Sequence, residues 1–218
     1  MKKLLVLLLF PYFSFAQLYG KGKILTREFD YKNFERLRIE DFDGQIEIEI
    51  GKSYAIKVSI DENLEPRLRV IKNDQDGSLT IKLQGNNNGT LYLEDTHIKI
   101  HVSMPYASEI KHRGNTNVSV SGIQGRLFMF ENNGNGNVNL EGQVDELLIS
   151  KNGNGNVNAQ KVPSKTAKVK SYGNGNVTVS SQISLTAHGS GNGSVMQAGN
   201  GKIEPLSGII GNGNVRKI

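Results

Sequence analysis

His97 and His101 stand four residues apart, a spacing that puts two imidazoles together on a helix but leaves them about 13 Å apart on a strand. Their surroundings read as strand, so they are not expected to share a metal, and His112 and His188 are isolated. Glu40, Asp41 and Asp43 before Gly44 make a polar turn, the nearest approach to a cation site. Glu141, Asp145 and Glu146 are the one acidic cluster of the C-terminal half that could supply the paired carboxylates of a polysaccharide-cleaving enzyme. No long loops flank them, and no Gly-x-Ser-x-Gly elbow is present. A calcium ladder would need aspartates in Gly-rich turns, where this chain carries asparagines. No catalytic, metal or cofactor site is therefore expected, and the protein is read as a non-enzyme.

Recognition chemistry is better supplied. Tyr172 is the one aromatic residue of the C-terminal half expected to stand exposed as a platform, since Phe128 and Phe130 fit inward positions and the chain has no Trp. Lys151 and Lys170, with Asn139, Asn158 and Thr178, occupy alternating polar positions that could contact a ligand.

Those residues lie among repeats. Gly-Asn-Gly-Asn-Val recurs from Gly134, Gly153, Gly173 and Gly211, with near copies from Gly114 and Gly191; the intervals are 20, 19, 20, 18 and 20 residues. So short a period marks one turn of a stacked array rather than a domain. Apolar residues stand six and four positions before each first glycine (Phe128 and Phe130, Leu147 and Ile149, Ala167 and Val169, Leu185 and Ala187) and four and six after it (Val118 and Val120, Val138 and Leu140, Val157 and Ala159, Val177 and Val179). A third column is expected at Val144, Val162 and Ile183. The fold predicted is all-β, a single-stranded parallel β-helix, or solenoid, with coils of about 20 residues. Its corners would use glycine for positive φ and asparagine for its tolerance of the left-handed region. Stacked amides would then form two ladders, Asn135, Asn154, Asn174, Asn192 and Asn212 in one, Asn137, Asn156, Asn176, Ser194 and Asn214 in the other.

Residues 17–108 alternate apolar and polar in short bursts such as Ile46, Ile48, Ile50 and Leu79, Ile81, Leu83, with an Asp76-Gly77 hairpin turn. They are expected to form a β cap ahead of a solenoid spanning 109–218. Residues 1–16 read as a secretory signal: Lys2 and Lys3, an apolar run from Leu4, and a Ser14-Phe15-Ala16 cleavage site. No later segment is long and apolar enough for a transmembrane helix. The absence of cysteine leaves an exported chain without disulfides. Without Lys2 and Lys3 there are 24 basic residues against 21 acidic, too small an excess to argue for nucleic acid.

Asp61-Glu62-Asn63-Leu64, Gly77-Ser78-Leu79-Thr80-Ile81, the Val102-Ser103-Met104-Pro105 step and the Gly-rich tetrads together resemble the head GIN domain family, exported bacterial proteins common in Bacteroidetes and labelled auto-transporter adhesins. The resemblance runs from about residue 28 to the end. It implies an all-β solenoid and a location in the periplasm, on the outer-membrane surface or outside the cell. The family commonly carries Ser-Gly-x-Gly followed by an acid, where this chain has Asn-Gly-Asn-Gly-Asn. Nothing here reads as a translocator barrel, so self-secretion is not expected. Two functions stay open. One is a binding module recognising a polysaccharide or an envelope protein through its repeated faces; the other is a structural spacer, or a homodimer joined through solenoid ends.

Overall fold

The computed structural model describes residues 17–84 and 92–218. The leader expected at 1–16 lies outside the described residues. Strands β1 (Gln17–Tyr19), β2 (Ile24–Phe29), β3 (Arg36–Glu40), β4 (Gln45–Ile50), β5 (Ala55–Asp61), β6 (Leu68–Asn73), β7 (Ser78–Leu83), β8 (Tyr92–Glu94) and β9 (Lys99–Met104) come from the first half. The repeats supply β10 (Glu109–Arg113), β11 (Asn117–Asn133), β12 (Val138–Asn152), β13 (Val157–Tyr172), β14 (Val177–Ser190), β15 (Val195–Gln197), β16 (Lys202–Ile203), β17 (Gly208–Ile210) and β18 (Val215–Lys217). The fold is a parallel β-solenoid, each coil pairing with the next in parallel.

The three short strands expected per coil run together here as one bent strand of 14 to 17 residues. Register shifts mark the bends, as between Val120 and Ile123 in β11. Period-two alternation carries the inward columns through every coil. Val118, Val138, Val157, Val177 and Val195 stack in register and are buried. Another column tapers from Phe130 through Ile149 and Val169 to Ala187. Each larger aliphatic or aromatic member stabilises the stack by about 1.5–3 kcal/mol before conformational entropy is subtracted. The third column departs from expectation: Ile183 is 61% exposed. In the 18-residue coil that starts at Gly173 the register slips, so that Ser181 stands against Ser164, which in turn stands against Val144, and takes the inward place.

The first half shares this stack. β3, the corner 41–44 and β4 form a coil lying between β7 and β9 on one side and β10 and β11 on the other, all parallel. The stacking order therefore differs from the chain order. Antiparallel strands close this end, with β6 beside β7, β5 beside β9, and β2 beyond β5. Such a reversal ends parallel growth and covers an edge that would otherwise expose unpaired amides. The family-like segment 61–64 is part of this closure. Asp61 accepts from the backbone N–H of His97 at 2.8 Å and lies 3.0 Å from its Nδ1, while the Asn63 side chain bonds Lys21 N and Tyr19 O. Leu64 is buried. At the other end the outermost turns leave Leu206, Ile210 and Ile218 exposed.

Candidate functional site

The corners are built for close stacking. A Cβ at Gly155 would lie 2.0 Å from the carbonyl oxygen of Gly136, and one at Gly153 2.1 Å from that of Gly134, so backbone replaces side chain in both tetrad glycine positions. Positive φ is a feature of the first glycine in most coils, such as Gly153 at 136°. None of the corner asparagines has positive φ, which corrects the expectation that they serve as left-handed residues. Their side chains bond the neighbouring coils along the two files expected from the spacing.

In the first ladder the Nδ2 group donates one coil back. Asn135 donates to Asn115 at 2.9 Å, Asn154 to Asn135 at 2.9 Å, Asn174 to Asn154 at 2.7 Å, Asn192 to Asn174 at 2.7 Å and Asn212 to Asn192 at 2.8 Å. In the second ladder the side-chain oxygen accepts a backbone N–H from the next coil. Asn117 accepts from Asn137, Asn137 from Asn156, Asn156 from Asn176, and Asn176 from Ser194 at 2.8–3.0 Å; Ser194 Oγ accepts from Asn214 at 3.2 Å. Both ladders begin in the near copy at Asn115 and Asn117. Asn156→Ala removes the acceptor for Asn176 N and a donor to Asn137. The expected loss is about 1 kcal/mol, measured as a lower urea midpoint with unchanged slope.

Tyr172 and Lys170 come together as alternating outward residues of β13, with Tyr172 43% exposed. Tyr172 has Asn152 and Ser190 beside it in register, and Lys170 has Ser150 and His188. This face is a set of parallel strands about 4.8 Å apart. Asn139, Asn158 and Thr178 form a separate file on another side, along the first segments of β12 to β14.

Lys151 does not belong to either surface. It is fully buried, and its Nζ donates to Gly153 O at 2.8 Å and Tyr172 O at 3.3 Å, so it is withdrawn as a contact residue. It stands two residues before a tetrad, the inward position that His112, Asn132 and Ser171 also occupy in successive coils. Alternation continued from Leu147 and Ile149 already points this position inward. Burial, with no carboxylate partner, pushes the Lys151 ammonium pKa down. His112 Nδ1 lies 2.6 Å from Asn132 Oδ1, which places the proton on Nδ1; burial lowers its pKa, partly offset by that bond.

The acidic cluster is spoken for. Lys161, Lys165 and Lys168 of β13 reach Glu141 at 3.4 Å, Asp145 at 3.0 Å and Glu146 at 3.0 Å. Each carboxylate thus faces a cation one coil away, an arrangement of cross-strand charge pairs rather than a poised acid and base. His97 and His101 diverge, one toward Asp61 and the other toward Glu47 at 3.6 Å.

A model of the family described as "Putative auto-transporter adhesin, head GIN domain" matches residues 33–201, which takes in the β3–β4 coil, the two ladders as far as Asn192 and Ser194, and the Tyr172 face. The chain belongs to this family. A putative adhesin from Bacteroides fragilis has the same fold, with a TM-score of 0.71 at 20% identity, covering 92% of this chain and 100% of its own. A putative lipid binding protein from Parabacteroides distasonis superposes with a TM-score of 0.58 at 20% identity over 93% of this chain and 100% of its own. A putative adhesin from Parabacteroides merdae gives 0.51 at 18% identity over 93% and 99%. At these identities the solved structures establish the shared fold and no ligand. None of the curated proteins is similar to this head GIN chain.

Proposed function

We propose that this head GIN protein is a non-enzymatic, adhesin-like binding module of the cell envelope, exported by residues 1–16 and acting as the mature chain 17–218. Its partner would be a polysaccharide or an envelope protein held against the long face of β12 to β14. The observation that carries this reading is the pairing of an exposed ring and a cation on a rigid sheet: Tyr172 and Lys170 are two residues apart on one strand and point outward together. Lys161, Lys165 and Lys168 each have a carboxylate partner, whereas Lys170 has none among the described residues. The neighbours of that pair in register, Asn152, Ser190, Ser150 and His188, are all polar, so a polar ligand can lie across several coils.

Sedimentation of the purified mature chain with isolated envelope material, alongside Tyr172→Ala and Lys170→Ala, tests the placement. Saturable capture of the wild type that falls about tenfold in Tyr172→Ala, the loss of roughly 1.4 kcal/mol, is the expected result. Equal capture of wild type and both variants would remove the face from the reading.

A further inference from the structure

A second, concave feature is lined by residues that precede the repeats, beside β11. Residues 33–36, Tyr54, the hairpin turn before β7 and Tyr106 line an open surface cleft of about 650 Å³, a volume within the size range of ligand sites. Its two rings are held in place. Tyr54 donates its hydroxyl to Phe34 O at 3.0 Å and packs on the buried Phe34 ring, with centroids 4.9 Å apart. Tyr106 is 38% exposed and lies against Gly125; a Cβ there would sit 3.1 Å from the Tyr106 ring. Ordering these rings on binding would therefore cost little entropy.

The polar groups of the cleft divide into those already bonded and those still unbonded. Arg38 donates to Asp76 at 2.8 Å and to Ser78 at 3.1 Å, and Asp76 also accepts from the Ser78 backbone and hydroxyl, so that carboxylate is satisfied within the turn. Arg36, two residues from Arg38 on β3, is tied to the hairpin turn by its backbone N–H, which donates to Gly77 O at 3.2 Å, while its partly exposed side chain has no hydrogen-bond or ion-pair partner among the described residues. Gln75 lines the same wall, and Glu35 supplies an acceptor at its edge. A preformed cleft with two fixed rings, a planar five-donor guanidinium, an amide and a carboxylate fits a ring that is apolar on one face and bears oxygens around its rim.

We propose that this cleft binds one pyranose unit of a polysaccharide, stacked on Tyr106, with Arg36 donating to its oxygens. The proposal rests on the binding-module reading and adds to it a ligand class and a second locus. The experiment is equilibrium titration of the purified mature chain with a neutral β-glucan and, in parallel, a polygalacturonate, using Tyr106→Ala, Arg36→Gln and Tyr172→Ala, with a thermal melt of each protein. The expected result is wild-type binding of at least one polymer, weakened about tenfold or more in both Tyr106→Ala and Arg36→Gln, with the Arg36→Gln melting temperature unchanged. Loss confined to polygalacturonate in Arg36→Gln would make the sugar's carboxylate the partner of Arg36. Binding that persists in both cleft variants overturns the proposal, and if it then fails in Tyr172→Ala the long face alone is the site. Wild-type binding to neither polymer also overturns it; capture of envelope material by the same preparation would leave the module reading standing.

Discussion

Replacing Gly155 with alanine is expected to destabilise the fold by about 3 kcal/mol or more, the upper end of overpacking costs. The added methyl would meet Gly136 O at 2.0 Å and Asn135 O at 2.7 Å, both backbone atoms of the adjacent coil. No flexible side chain is available to swing aside, so relief requires two coils to separate where the Asn135 to Asn154 bonds of 2.9 and 3.1 Å hold them together. A cost of that size lowers the melting temperature of a chain this long by roughly 10 °C. Gly208 provides the control, since a Cβ there meets nothing within 4 Å. Gly208→Ala is expected to change stability by less than about 0.5 kcal/mol. Equal melting temperatures for the two variants would show that the tetrad glycines are not required by coil stacking.

Lys151→Glu is expected to cost about 3–5 kcal/mol, the range for an unpaired buried charge. The carboxylate would replace a donor with an acceptor facing Gly153 O and Tyr172 O. Lys170→Glu, on the exposed face of the next coil, is expected to fall within about 0.5 kcal/mol of wild type. Urea melts of the two charge reversals separate an interior lysine from a surface one directly. Lys151 also gives a pH signature. Burial lowers its pKa below the ordinary 10.5, so the unfolded chain binds the proton more tightly than the folded one. Wild-type stability then rises with pH between the lowered folded value and 10.5, and falls as pH drops through that window. Lys151→Met keeps the shape without the charge and is expected to lack this rise. Parallel pH profiles for the two proteins would contradict the assignment.

How far these properties were legible in the sequence depends on the range of the interaction involved. The interval between tetrads and the columns around them are local signals, and they located the coils and placed Phe128, Phe130 and the valines inward. The same alternation placed Lys151 inward; reading it as a polar contact gave residue type priority over register. The 20-residue spacing made the amide ladders of the corner asparagines readable, but their backbone was misread in the same way. Asparagine at a turn invites a left-handed reading, yet here the coil above and the coil below dictate its use through amide bonds about 20 residues apart in sequence. Ile183 was misplaced because one coil is 18 residues long and the slip falls between Val179 and Ser184 of β14, where no glycine marks it. The insertion of the β3–β4 coil between later strands left no local trace, since it arises from pairing such as Leu37 with both Leu79 and Ile110. The cleft was hidden for the same reason: Tyr54 and Tyr106 are far apart in sequence, and each alone looks like an ordinary strand-end tyrosine.

The claim that this family member recognises an envelope component without transforming it is tested most directly by one equilibrium measurement. The purified mature chain is incubated with isolated envelope polysaccharide and envelope protein fractions at moderate salt, and both bound protein and newly released reducing ends are followed. Saturable binding to one fraction with no release of reducing ends is the predicted result. Absence of saturable binding to every fraction at high protein concentration, or progressive release of reducing ends, would contradict it.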